Sequence, residues 1–285
     1  MLKEWLSRLF GKKDTPLPQK DSTKVSNEQN ESHGIPETPV LQGQTEAHSS
    51  SRKDTSPKKQ DNSNYSVRSS RRSSDMNAEH ELSAFLDSYL YKPLLAEGRF
   101  TSIVRVTDVD MQLLGADVVA TTETQIARID ENAQLYYINQ DLPTFAFELQ
   151  FLKGKQRCTG WFLNENLVTD YYLLIWPHAK TAKVSEIKKD DFTVLDALMI
   201  SRHKIHSFLS RNGLNQDELL CTANSLREKG VTGKVPTKHR GIYYYASDPS
   251  KYAEAPINLV IRKTYLLSLA DMHYRITNKG FDRLS

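Results

Sequence analysis

Between Gly115 and Gln150 runs the segment GADVVATTETQIARIDENAQLYYINQDLPTFAFELQ, where carboxylates recur inside β-rich, apolar sequence. A carboxylate on a buried strand is costly unless a metal or another cation compensates it. Strand parity puts Asp117 on a face with Gly115 and Val119, and Asp130 on a face with Arg128 and Asn132, while Ile129 and Glu131 point the other way. In TFAFELQF, Phe145, Phe147, Leu149 and Phe151 form one apolar face, which leaves Glu148 and Gln150 together on the opposite one. Consecutive strands are therefore expected to turn Asp117, Asp130 and Glu148 toward a common surface. The plainer alternative sets these acids at strand ends, solvated or paired with Arg105 and Arg128.

The elements that must position these acids start near Asn77. In NAEHELSAFLDSYLYKPLL, Leu82, Phe85, Leu86, Tyr89 and Leu90 follow helical spacing, with Asn77 placed to cap the start and Pro93 to end it. RFTSIVRV then alternates as a strand, followed by the turn-like TDVD. Beyond the acids, RCTGWFLN and LVTDYYLLIWPHA read as two further strands, the second ended by Pro177. DDFTVLDALMISRHKIHSFLSRNG reads as a helix with Leu195, Leu198, Met199, Ile205 and Leu209 inward. A second helix starts at the capping-box spacing of Asn215 and Glu218. The pair is expected as a helical hairpin packed on the sheet, the alternative being a helix-turn-helix in which Arg202 and Lys204 contact nucleic acid.

KGVTGKVPTKHR is basic, lacks apolar periodicity and is expected as a loop, in which Lys234, Lys238 and Arg240 are the candidate phosphate contacts. Its glycines do not form a Walker motif. A strand, GIYYYAS, follows, and PINLVIRKTYLLSLADMHY reads as a short strand or helix start leading into a closing helix. These elements predict an α+β domain over residues 78–285, a mixed sheet with flanking helices, in which 78–180 supply the sheet core and 190–285 the helical and closing elements.

The first 78 residues differ in composition. Ser, Thr, Gln, Asn, Pro and Lys dominate residues 12–77, which predicts a disordered polar linker. The leader carries 13 Lys and Arg against 10 Asp and Glu, which leaves 25 of each in the remainder, so bulk charge does not indicate a strong polyanion-binding surface. Ahead of the linker, residues 1–11 place Leu2, Trp5, Leu6 and Leu9 on one helical face, a short amphipathic helix suited to a membrane surface or a groove on a protein partner. Arg68, Arg71 and Arg72 among serines read as solvated linker. Cys158 and Cys221 show neither metal-ligand spacing nor a disulfide framework, which fits a reducing, cytoplasmic setting with peripheral membrane contact through the terminal helix. No run of apolar residues is long enough to span a bilayer.

A helix, a strand, an Asp-bearing strand and then a strand carrying an acid-x-Lys-like pair resemble the PD-(D/E)XK restriction-endonuclease-like superfamily over roughly residues 79–176, whose core runs αβββαβ. Position by position, the resemblance implies that Asp117 matches the first metal-binding Asp and Asp130 the second acid. Ala116 stands where the motif has Pro, and Asn132 where it has the catalytic Lys. A second registration takes Glu148 and Gln150 as the pair, again without Lys, but with Lys153 and Lys155 nearby. The resemblance implies a nuclease-like phosphodiesterase acting on DNA or RNA. Asp117, Asp130 and Glu148 would hold Mg²⁺ or Mn²⁺, with Gln150 and Asn132 positioning groups around it. The alternative from another class is a non-catalytic interaction or nucleic-acid-binding module tethered by the N-terminal helix.

Overall fold

The computed structural model describes residues 76–284; the expected amphipathic helix at 1–11 and nearly all of the linker at 12–77 lie outside them. A long helix, α1, covers residues 76–96, and Asn77 lies inside it. Pro93 does not end this helix. A π-helical turn at Asp87–Tyr91, closed by Lys92 N–H donating to the Asp87 carbonyl, widens the helix ahead of the proline, and α-helix continues over Lys92–Ala96.

Strands follow in the order β1 (Ser102–Arg105), β2 (Val118–Thr121), β3 (Ile126–Ala133), β4 (Thr144–Lys153), β5 (Gln156–Thr159), β6 (Tyr171–Ala179) and β7 (Phe192–Ser201). A short helix α2 (Val109–Leu113), capped by the Asp108 carboxylate, separates β1 from β2. After β7 come α3 (Arg202–Arg211), α4 (Gln216–Glu228), β8 (Gly233–Pro236), β9 (Ile242–Ala246), β10 (Ile257–Arg262), α5 (Lys263–Leu269), β11 (Met272–Thr277) and β12 (Gly280–Arg283).

These strands make two sheets. The seven-stranded sheet runs β1-β2-β3-β6-β7-β11-β12, and the five-stranded sheet runs β5-β4-β10-β9-β8. Among the described residues only β3 and β6 pair in parallel; every other pair is antiparallel. The first sheet buries one face under α1, where Phe85, Leu86 and Leu90 meet Ile129, Leu173, Ala197 and Tyr274. Its other face packs on the second sheet together with α3 and α4, where Tyr172, Leu174 and Trp176 meet Phe145, Phe147 and Leu259. The α+β class with a mixed sheet is thus as expected, with a second sheet in addition.

The both-sided burial of β6 explains its uninterrupted apolar run. Pro177 lies within β6 and not at its end. Its carbonyl accepts from Asn139 N–H, on the side away from β7, so its missing N–H removes nothing from the β6–β7 ladder.

The helix predicted to begin at Asp190 is corrected: Phe192–Ser201 is strand β7, and helix starts only at Arg202. Leu195 and Met199 face α1, while Leu198 faces the second sheet. A strand buried on both faces shows no period-two alternation, so its apolar spacing mimics a helix. The closing helix is likewise only the short α5, followed by β11 and β12, and the basic stretch read as loop contains β8. RCTGWFLN is strand only up to Thr159; Phe162 is buried in the turn beyond. α3 and α4 form a hairpin packed on the sheets. Lys204 is bound to Asp271, and Arg202 to the carbonyls of Leu167 and Asn164.

Candidate acid pair and its flanking cleft

Asp117 lies one residue ahead of β2, after a turn fixed by Gly115. Gly115 has φ +75°, and a Cβ there would come within 2.5 Å of Thr169 Oγ1; the Thr169 hydroxyl donates to the Gly115 carbonyl at 2.7 Å. The Asp117 backbone extends the ladder on both sides, donating to the Ile129 carbonyl and accepting from Val106 N–H. The Glu131 amide donates to Asp117 Oδ2 at 2.7 Å, and Asn132 Nδ2 donates to Asp130 Oδ1 at 2.8 Å. Asp117 is thereby fastened to β3 at Ile129 and Glu131, the two residues that flank Asp130 in the chain.

Electrostatics follow from this placement. Burial pushes the Asp117 carboxyl up to about 6; the Glu131 amide opposes the rise and the Glu131 charge adds to it. Burial, and then the Asp117 charge, push Asp130 up to about 8, against the Asn132 hydrogen bond and the more distant Arg202. Burial and the nearby Asp117 charge thus make Asp130 hold its proton to a higher pH than Asp117 does.

Neither acid pairs directly with Arg105 or Arg128. Arg105 is held on the α1 face of the sheet. Its guanidinium binds Asp87 and Glu131, and Tyr91 Oη donates to Glu131 Oε1 at 2.7 Å. Arg128 binds Asp170, whose Oδ2 also accepts from the Arg128 amide at 2.9 Å. The cation that acts on Asp130 is Arg202, at the start of α3. Its guanidinium is oriented by the carbonyls of Leu167 and Asn164 at 2.9 and 2.8 Å. This role is invisible in the sequence, because only the β6–β7 pairing brings Arg202 back toward β3.

Arg202 also lines a cleft of about 530 Å³, together with Asp170, His203, His206, Ser207 and Gln216. His203, His206, Ser207 and Ser210 form one polar stripe of α3 facing it. His206 stacks on Phe162 at 4.6 Å between ring centroids, and burial, then the charges of Arg202 and His203, pull its pKa down to about 4. The cleft accordingly presents a neutral imidazole beside a fixed guanidinium.

Glu148 and Gln150 are not part of this centre, which corrects the expectation of one shared surface. Both lie on β4, in the other sheet. They do not share a face either: Asn258 of β10 pairs with Glu148 but Ile257 pairs with Gln150, so Leu149 is an extra residue in a bulge that reverses the alternation. Gln150 is buried against α4, donating to Asn224 and accepting from Arg227. Glu148 faces outward and is pushed up to about 7 by burial and by the Glu254 charge. Among the described residues, no group of three or more His, Cys, Asp or Glu side chains is arranged to hold a metal ion. Lys234 projects from β8 over the Tyr243 ring at 4.2 Å, while Lys238 and Arg240 are exposed in the turn before β9. Among known proteins, no family model, no curated protein and no solved structure matches this chain.

Proposed function

We propose that this chain is a divalent-metal-dependent, nuclease-like phosphodiesterase acting on DNA or RNA, with Asp117 and Asp130 as its acid pair. The observation that carries this reading is the pair itself: Asp117, fastened to β3 by the Ile129 carbonyl and the Glu131 amide, and Asp130 on β3, whose carboxyl is raised by burial and by the Asp117 charge so that it retains its proton near neutral pH. Such a pair has affinity for a cation in place of that proton. Two carboxylates suit Mg²⁺ or Mn²⁺, which keep several of their own waters and need few protein ligands. When bound, the metal polarises a phosphate and lowers the pKa of a coordinated water.

The chain's own residues would then act as follows. The Glu131 amide fixes Asp117, and Asn132 orients Asp130. Arg202, held by two carbonyls at the cleft, meets substrate phosphate without having to be ordered on binding. Lys234, Lys238 and Arg240 contact phosphates farther along the strand of nucleic acid. Cys158 and Cys221 are free thiols, in keeping with a reducing cytoplasm, and no described helix is long and apolar enough to cross a membrane.

One observation favours a second reading. Asn132 replaces the lysine implied by the resemblance, and among the described residues no lysine hydrogen-bonds to Asp117 or Asp130. A domain of this kind would bind without cleaving, tethered through Leu2, Trp5, Leu6 and Leu9 to a membrane surface or a protein partner. The test is cleavage of linear, circular and single-stranded DNA, and of RNA, with Mg²⁺ or Mn²⁺. Activity lost in Asp117→Ala and in chelator supports the enzyme. Folded protein that cleaves none of these substrates leaves the binding module.

A further inference from the structure

The outward face of the five-stranded sheet has a composition that the acid pair does not account for. On β9, Ile242, Tyr244 and Ala246 point into the core, so Tyr243 and Tyr245 point out, and Tyr245 is 46% exposed. Two residues apart on one strand, the two rings stand about 7 Å from each other along it. Edge strand β8 sets Lys234 opposite Tyr245 and Pro236 opposite Tyr243. On the inner side, β10 places Asn258 opposite Tyr245.

Basic groups frame the rings. Arg262, exposed at the end of β10, lays its stem over Gly241, where a Cβ would come within 2.8 Å of Arg262 Cδ. Gly241, at φ +92°, thus holds open the groove in which this side chain lies. Lys238 and Arg240 are exposed in the adjoining turn, and Lys234 lies over Tyr243. The five strands carry a single carboxylate, Glu148, on β4. Its carboxyl is pushed up to about 7, so part of its charge is lost at neutral pH.

We propose that this face is a binding surface for single-stranded nucleic acid, in which Tyr243 and Tyr245 stack successive bases and Lys234 and Arg262 meet the flanking phosphates. Aromatic side chains at alternate positions of an open strand offer their faces to bases that are unstacked, as they are in a single strand and not in a duplex. The cations flank the rings, as a backbone running past stacked bases requires. Lys234 covers Tyr243 in the free protein and can exchange that ring for a phosphate as a base arrives. The surface needs no metal and contains neither acid; Lys234 is the phosphate contact it has in common with the proposed enzyme, and binding in excess chelator is read separately from cleavage.

The test is fluorescence anisotropy of labelled 15-mers of dT and rU, and of a 15-base-pair duplex, with the full chain in excess chelator. Both single strands are expected to bind more tightly than the duplex. Tyr245→Ala should weaken them by about 5- to 160-fold, the range for one stacked base, whereas Tyr245→Phe should retain binding. Lys234→Gln should reduce the slope of log K against log salt by about 0.7. Thermal melts would verify that the variants remain folded, which is expected for exposed positions. Preference for the duplex, or unchanged affinity in Tyr245→Ala, would overturn the proposal. So would failure of the wild type to bind either single strand, which would leave the face to a protein partner. A difference between dT and rU identifies which nucleic acid is preferred.

Discussion

The amide of Glu131 donates to the carboxylate of Asp117 at 2.7 Å, while the Glu131 side chain turns to the opposite face of the sheet and accepts from Tyr91 and Arg105. One residue therefore couples the acid pair to α1, and disturbance on either face reaches the other through β3.

Removing the guanidinium tests that coupling. Arg105→Ala leaves Glu131, whose side chain is 7% exposed, and the more exposed Asp87 without their cation. A stability loss of about 3 kcal/mol is expected in denaturant unfolding. Arg105→Lys should recover only part of it, because an ammonium cannot bridge both carboxylates as the fork does. Equal stability of Arg105→Ala and wild type would remove the network from the account.

Asn132→Lys restores the cation at the position implied by the resemblance. If the acid pair is a phosphodiesterase centre, cleavage of plasmid with Mn²⁺ should rise by about 100-fold, the low end of one acid–base contribution. A variant that is folded and binds Mn²⁺ but cleaves no faster would argue for the non-catalytic reading.

The raised proton affinity of the acid pair sets a sign for its pH dependence. Between an unfolded carboxyl near 4 and the folded values of about 6 and 8, the native state binds more protons than the unfolded one. Stability without metal is fully present below about pH 4 and falls as pH rises toward 8. Mn²⁺ must displace the same proton, so its affinity should increase by up to about tenfold per pH unit below 8, with proton release. Calorimetry in two buffers of different ionisation enthalpy reads this directly; a pH-independent affinity between 6 and 8 would be the opposite result.

Glu148→Gln separates the two sheets. With Glu148 raised to about 7, its ionisation costs stability above that pH, and the amide should recover about 1–3 kcal/mol at pH 8 and little at pH 5. Cleavage should be unchanged, because Glu148 lies outside the acid centre. Loss of Mn²⁺-dependent cleavage in folded Glu148→Gln would return it to the metal site.

What could be read from the residues depended on how each strand is buried. β3 has unlike environments on its two faces, so its alternation placed Asp130 and Asn132 on one side and Glu131 on the other, as in the structure. β4 alternates as well, yet one extra residue at Leu149 separates Glu148 from Gln150, and no local pattern announces a bulge. β7 lies between two apolar layers and its periodicity imitates a helix. Arg202 comes near Asp130 only through pairing of distant segments, a tertiary fact without a local signal.

β3 and β6 form a parallel pair, and the chain between them, residues 134–170, travels into the other sheet and back. The β2–β3 hairpin can close early in folding, since its ends are close along the chain, whereas β6 must be captured across that long excursion at a larger entropic cost. Asp130 therefore acquires its buried surroundings only after much of the second layer has collapsed. On the ribosome the two acids emerge before β6 and α3, so the burial that raises Asp130 and the Arg202 charge that opposes the rise both arrive only with those later elements.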